Sequence, residues 1–356
     1  MGEKERGNVR RAALVLAGCG ALLLAAWVLL IRPAGDAPDD LGATPDRTPA
    51  TPAKIRIALD EYPNAWHAFI FAAEEMGFLR EQGVALEPVV AGAGRDPLRM
   101  LDEGKADLAL ASQPDVLLAR NEGRPVVSVA AIVPRPLVYL MVPKDSPIHA
   151  PAHLAGRTVV LSGSPVHEAM LGTMLDSVPG GRPAAEMVTA EVPVAGMLLD
   201  GRADALLGPD IVDGKERLEQ AGLELRLIEP MLYGVPFYYE KVLAAEERAL
   251  AENRDLFGRV WTALARGFEY VEQHPAEAAR RLAGAGVFDG NPAWTVSLEQ
   301  LDERLPFMRA DAGPFGVQDG KAWKETEKWL AGRALIDPSL NADDAFLDLA
   351  AEDGDR

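Results

Sequence analysis

From residue 54 to about residue 230 the chain alternates short apolar runs with longer segments that are apolar on one side only, the rhythm of strands separated by helices. Residues 54–59 (KIRIAL) alternate as a first strand, 68–76 predict a helix closed by Gly77, 84–90 a second strand and 97–103 a second helix. The stretch 104–133 then reads strand, turn, helix, strand. Residues 106–111 are apolar apart from Asp107, and Ser112-Gln113-Pro114-Asp115 combines capping side chains with a proline suited to a first helical turn. A short helix over 116–121 is stopped by Glu122-Gly123, and 125–133 is a second apolar strand. Further strands are predicted at 138–142, 158–161, 186–192 and 223–228, with helices at 166–175 and 195–199. From Glu246 the pattern turns helical: 256–273, 276–282, 298–304 and 323–332.

Part of this rhythm repeats. Gly104-Lys105-Ala106-Asp107 opens an apolar run that ends in Pro114-Asp115; Gly201-Arg202-Ala203-Asp204 opens another that ends in Pro209-Asp210, expected at a turn. Both copies follow a helical segment. Two chain crossings, at 143–147 and 233–239, complete an α/β frame of two lobes. The expected domains are residues 54–142 with 238–346 as lobe 1, 143–237 as lobe 2, and 347–356 as an acidic tail. In open α/β sheets the ligand sits beyond the carboxyl ends of the strands, where Ser112-Gln113 and Ser162-Gly163-Ser164-Pro165 fall. The cleft between the lobes is therefore the expected binding site.

The N-terminal segment differs in kind. Residues 12–31 are an unbroken apolar run, long enough as a helix to cross a hydrocarbon core of ~30 Å. Arg10 and Arg11 on its amino side predict a cytoplasmic start and an exported body. Residues 1–31 read as a signal anchor or, because Leu16-Ala17-Gly18-Cys19 has the form of a lipobox, as a lipoprotein signal cleaved and acylated at Cys19. Residues 32–53, rich in Pro, Ala, Asp and Thr, read as a flexible linker. Either reading of the N-terminus tethers the body outside the cytoplasm, at a bacterial cytoplasmic membrane.

Composition narrows the chemistry. A formal net charge of −18 argues against nucleic-acid binding. Cys19 is the single cysteine, so the body has no disulfide framework, no thiolate metal site and no catalytic thiol. Ser164 lies in SGSP rather than G-x-S-x-G, His149 and His153 have H-x-x-x-H spacing but lack the glutamate of H-E-x-x-H, and no P-loop occurs. Gly92-Ala93-Gly94-Arg95 is too short to cradle phosphates. This favours a binding module over an enzyme, without cofactor or metal. The SGSP turn before a helix offers N–H groups and two hydroxyls to a carboxylate, phosphate or ring acceptor. Glu168, one turn on, suits an amine, and His67 beside Trp66 suits either a ligand or a cap. Asp115 and Asp210 read as caps, with a ligand contact as the alternative. Tyr62, Trp66, Tyr233, Tyr238 and Tyr239 fall at strand ends or crossings, where a planar ligand can stack.

These residues resemble a known family. Pro63-Asn64 with His67, Gly104-Lys105-Ala106-Asp107, Gln113 through Arg120, Pro125 through Ala131, Ser162-Gly163-Ser164-Pro165, Glu168-Ala169, Tyr233-Gly234-Val235-Pro236, Tyr238-Tyr239 and Pro314-Phe315-Gly316 are similar to the substrate-binding proteins of bacterial ABC importers. The branch is the one that takes up thiamine pyrimidine precursors and includes the fungal thiamine-pyrimidine synthases. The resemblance spans residues 54–346 and implies a type 2 periplasmic-binding-protein fold, in which two α/β lobes close on a formylaminopyrimidine or hydroxymethylpyrimidine. It implies ligand contacts at Asn64, His67, Gln113, Ser162, Ser164, Glu168, Tyr233 and Tyr238; Gly163 and Trp66 join them by position. Permease and ATPase subunits are the implied partners of a monomeric receptor. Glu61 stands where the family carries tryptophan, Trp66 where it carries asparagine, and Pro209-Asp210 where it carries an aromatic pair; Tyr62 or Trp66 is the expected replacement ring. A synthase, a sensory module, and a receptor for riboflavin or an alkylsulfonate are the alternatives.

Overall fold

The computed structural model describes residues 51–91, 96–189, 194–284, 296–310 and 313–353. The apolar segment with Cys19, all but the last three residues of the expected linker, and the Gly92–Arg95 turn lie outside these residues. Among the described residues no helix is long and apolar enough to cross a membrane.

Ten strands form two five-stranded sheets. The first holds β1 (Ala53–Leu59), β2 (Val84–Val90), β3 (Leu108–Ala111), β4 (Val126–Val133) and β10 (Lys241–Glu246), in the order β2-β1-β3-β10-β4. The second holds β5 (Val138–Pro143), β6 (Thr158–Leu161), β7 (Glu186–Thr189), β8 (Ala205–Asp210) and β9 (Leu225–Ile228), in the order β7-β6-β8-β5-β9. One rule generates both orders. The first three strands are parallel, and the strand that arrives from the other lobe enters antiparallel beside the third: β10 between β3 and β4, β5 between β8 and β9. The boundary expected at residue 142 therefore falls before Val138, because β5 completes the second sheet.

Both faces of each sheet are covered, which is why the strands read as apolar runs. Ile55, Ile57 and Leu59 of β1 enter one core with α1 (Ala68–Glu75), α9 (Arg254–Gln273) and α11 (Leu298–Met308), while Ala58 faces a second core with α4 (Gln113–Asn121) and α12 (Gly320–Gly332). In the second lobe Val159 and Leu161 of β6 pack against α5 (Pro165–Asp176), and Val160 faces the opposite side toward α7 (Asp213–Gln220). The period of two on each strand follows from the pleat.

The sequence repeat is a structural one. Gly104 and Gly201 turn with φ of 63° and 67°, in the left-handed region open to glycine. After Gly104 the N–H groups of Lys105 and Ala106 both donate to the Met100 carbonyl; after Gly201 those of Arg202 and Ala203 both donate to the Met197 carbonyl. The aspartate then pins the next strand. Asp107 donates its N–H to the Arg56 carbonyl and accepts the Arg56 N–H at 2.8 Å, and Asp204 makes the same reciprocal pair with Thr158, accepting at 2.9 Å. These aspartates hold the starts of β1–β3 and β6–β8 in register. The copies diverge afterwards: Pro209-Asp210 ends β8 rather than forming a turn, with Asp210 opposite Val138. The chain end also departs from a simple tail. Leu349 and Ala350 of α13 (Leu349–Asp353) are buried in the first core, and Phe346 stacks on Trp323 at 5.4 Å.

Candidate functional site

The parallel strands β3 and β6 end on facing turns, each followed by a helix. Ser112 caps α4 in a reciprocal box: its Oγ accepts the Asp115 N–H, and its own O–H donates to Asp115 Oδ2 at 2.6 Å. Ser164 caps α5, accepting the Val166 N–H at 3.2 Å. Between these turns lies a cleft of about 350 Å³ lined by Ser112, Pro114 and Asp115 of the first lobe. Val138, Ser164, Val166, His167 and Gly208 line it from the second, with Tyr238 and Glu240 from the returning crossing. That volume is at the lower end of small-molecule sites and matches a single-ring ligand. Two larger hollows, of about 690 and 530 Å³, lie wholly on the first lobe. The former sits by Asp107 and Pro125, at the amino ends of the parallel strands, the wrong end of the sheet for a ligand.

The second-lobe wall is built from a close approach. Ser162 shares a 2.7 Å hydrogen bond with His167 Nδ1. Burial lowers the His167 pKa to about 4, so the imidazole is neutral at pH 7. Gly208, with φ of 146°, lets β8 pass directly behind this serine. A methyl group at 208 would meet Ser162 Oγ at 2.3 Å and Cβ at 2.6 Å, and no serine rotamer relieves both. Gly208→Ala is expected to cost about 2 kcal/mol and to displace Ser162. A urea denaturation midpoint equal to wild type would show that the strand simply moves aside.

On the crossing, the Tyr238 hydroxyl donates to Glu240 Oε2 at 3.0 Å, and the same oxygen accepts the Leu137 N–H at 2.8 Å. Burial, with the Glu240 charge second, holds the Tyr238 phenol well above its ordinary pKa, so it remains a donor. Gln113 is buried: its Oε1 accepts the Tyr239 N–H at 2.8 Å, and its Nε2 has no partner among the described residues.

Of the sequence-derived candidates, Ser164 and Tyr238 line the cleft, Ser162 forms its wall, and Gln113 lies at the start of α4 between two lining residues. The others lie elsewhere. Glu168 is exposed and accepts the Thr189 hydroxyl at 3.2 Å, beside the exposed Gly163. Tyr233 packs on the second-lobe core, half-buried. Asn64, Trp66 and His67 form a buried polar cluster at the end of β1. Asn64 caps the turn, and its N–H donates to His67 Nδ1 at 3.2 Å; that fixes the His67 proton on Nε2, which donates to Asp60 at 2.9 Å. The Lys241 ammonium closes tightly on Asp60 and reaches Glu61 at 3.2 Å. Burial alone would raise the Asp60 pKa, but Lys241 and the His67 hydrogen bond outweigh it and hold the carboxyl far below the usual range. Trp66 has no exposed surface, with Lys241 and Arg304 over its ring at 5.9 and 5.6 Å. It is a packed ring rather than an open stacking platform.

Trp66 also reaches across the lobes. Its indole N–H donates to Asp213 Oδ2 at 3.1 Å, and Arg304, 2% exposed, pairs with the other oxygen of Asp213. Elsewhere on the lobe boundary, the Trp329 indole donates to Thr173 at 2.9 Å and Arg333 pairs with Asp176 at 2.6 Å. The lobes are thus clamped by two separate sets of polar contacts.

Sequence reasoning missed His167 and Glu240, and put Asp115 down as a cap ahead of a ligand contact. The available signal for His167 was its place at the start of the helix that follows SGSP. Among the described residues no cluster of His, Cys, Asp and Glu is arranged to hold a metal ion.

Comparison with known proteins places this geometry. The family profile described as NMT1/THI5 like matches residues 64–278. A formylaminopyrimidine-binding protein of Halalkalibacterium halodurans is 34% identical over 293 residues, covering 82% of this chain and 89% of that protein. The 4-amino-5-hydroxymethyl-2-methylpyrimidine phosphate synthase THI5 of Saccharomyces cerevisiae is 30% identical over 95 residues, 27% of this chain and 28% of the enzyme. The periplasmic aliphatic sulphonate binding protein SsuA of Escherichia coli superposes with a TM-score of 0.61 at 15% identity, covering 83% of this chain and 92% of that one. That likeness establishes the type 2 periplasmic-binding-protein fold.

Proposed function

The chain belongs to the NMT1/THI5-like family, and on that premise we propose that it is an extracytoplasmic receptor that encloses an aminopyrimidine of the thiamine-precursor class, formylaminopyrimidine or its hydroxymethyl counterpart, between its two lobes. The observation that carries this reading is the single-ring cleft at the facing ends of β3 and β6, in a chain so extensively similar to a formylaminopyrimidine-binding protein. Hydroxyls, a neutral imidazole, a phenol and carboxylates supply the donors and acceptors that a heterocycle with ring nitrogens and an exocyclic amine needs. Closure follows from ligand contacts made to both walls at once, which shift the population toward the clamped arrangement. A permease with its ATPase is the partner to which the loaded receptor delivers. Tethering through the apolar N-terminal segment keeps the receptor concentrated near that permease.

Binding without chemical change suits the site. The Ser162–His167 pair has the residue types of a nucleophile and its base, but an imidazole of pKa about 4 is too weak a base to activate a hydroxyl at neutral pH.

A thermal-shift and calorimetric screen of the full chain tests the reading, with formylaminopyrimidine, 4-amino-5-hydroxymethyl-2-methylpyrimidine, riboflavin and an alkylsulfonate as probes. An aminopyrimidine at 100 times its Kd is expected to stabilise the fold by about 2.7 kcal/mol, with no conversion of the ligand recovered afterwards. Stabilisation by riboflavin or the sulfonate alone would move the ligand to another class.

A further inference from the structure

We infer that Asp115 is the residue that reads the exocyclic amine of the ligand, so that the receptor selects amino-substituted, unphosphorylated rings. The inference rests on the aminopyrimidine reading above and adds the group that would enforce it. Asp115 lines the cleft while standing at the third position of α4, and its two oxygens have different fates. Oδ2 is tied by Ser112, accepting both its O–H at 2.6 Å and its N–H at 3.3 Å. Oδ1 has no partner among the described residues, and the side chain is open to solvent. The cap thus fixes the carboxylate and leaves one oxygen unpaired in a residue that lines the cleft, the arrangement of a preorganised acceptor.

Charge points the same way. No lysine or arginine is among the described residues lining the cleft, and no cation is in contact with Asp115. A carboxylate held without a counter-cation gains from an N–H donor and repels a phosphate or sulfonate. An amine donor completes the site; a ring carrying an anionic tail does not.

The test uses the full chain and compares wild type with Asp115→Asn. Asparagine keeps the shape and can still accept from Ser112 through its amide oxygen, but it removes the charge. The probes are 4-amino-5-hydroxymethyl-2-methylpyrimidine, its analogue with hydrogen in place of the 4-amino group, and its phosphate ester, titrated calorimetrically. Wild type is expected to bind the amino compound at least ten-fold more tightly than either of the others. Asp115→Asn is expected to lose most of that preference while its binding of the deamino analogue stays within about two-fold. Equal loss for the amino and deamino compounds would give Asp115 a merely structural part, and an unchanged preference in the variant would overturn the inference while leaving the receptor reading intact. If wild type binds no aminopyrimidine, the receptor reading fails and this inference fails with it. Melting curves of both proteins, matched within a few degrees, confirm that the comparison is between folded states.

Discussion

Asp213→Ala lowers the unfolding free energy by about 3–5 kcal/mol, the largest single effect expected in this chain. Asp213 begins α7 in the second lobe, and both its oxygens serve the first: one accepts the Trp66 indole N–H at 3.1 Å, the other pairs with Arg304. Arg304 is 2% exposed and its Nε already lacks a partner among the described residues, so loss of Asp213 leaves a buried guanidinium without its principal counter-charge. Alanine cannot supply one. The charge-preserving Asp213→Glu should recover part of the loss, since it keeps the carboxylate and misplaces it by one methylene. Urea denaturation of the three proteins checks this. An alanine variant within 1 kcal/mol of wild type would mean that Glu303, whose Oε2 lies 3.5 Å from Arg304 Nη1, takes over as the counter-charge. Because the contact joins the lobes, the variant should also bind ligand more weakly than its residual stability alone would suggest.

Asp60→Asn is the second, at about 2–4 kcal/mol, with a dependence on pH that marks its cause. Asp60 receives the Lys241 ammonium and the His67 Nε2 proton at the end of β1. Its folded pKa lies below the unfolded value of ~3.9, so its stabilisation is fully present above that value and is lost as pH falls through the folded pKa. The gap between wild type and Asp60→Asn should therefore be constant from about pH 7 to 5. Below about pH 4 it should narrow by about 1.4 kcal/mol per pH unit. Denaturant titrations at pH 7, 5 and 3 measure it directly. A gap of the same size at pH 3 would show that Asp60 acts through shape rather than charge.

The order of strands and helices was legible in the chain because it rests on local chemistry. Glycine at 77, 104 and 201, proline at 97 and 165 and capping serines at 112 and 164 mark ends that the structure reproduces within a few residues. The repeated Gly-x-Ala-Asp told of two lobes, although not that its aspartates pin neighbouring strands. The site was legible only as a set of strand ends. Which of those residues face the cleft depends on tertiary packing that no local pattern reports. Trp66 carries the composition of a ligand platform and is instead enclosed by two cations brought in from residues 241 and 304. Asp115 shows the reverse: capping chemistry was evident, and its free oxygen emerges only once the opposite lobe stands against it. The boundary before Val138 was hidden for a similar reason, since an apolar strand does not state which sheet it completes.

The exchange of strands between the sheets has a consequence for how the chain acquires its shape. All five strands of the second sheet fall within residues 138–228, an uninterrupted stretch that can pair as soon as it is available. The first sheet cannot: β10, which joins β3 to β4, begins at Lys241, after the whole of the other lobe. In a chain emerging from its amino end, β1 to β4 must wait with a gap between β3 and β4 while more than a hundred residues appear. Such long-range pairing slows folding. On the proposed extracytoplasmic reading, in which the chain is threaded through a membrane in extended form, that delay would keep the leading half unfolded until the trailing half arrives to close it.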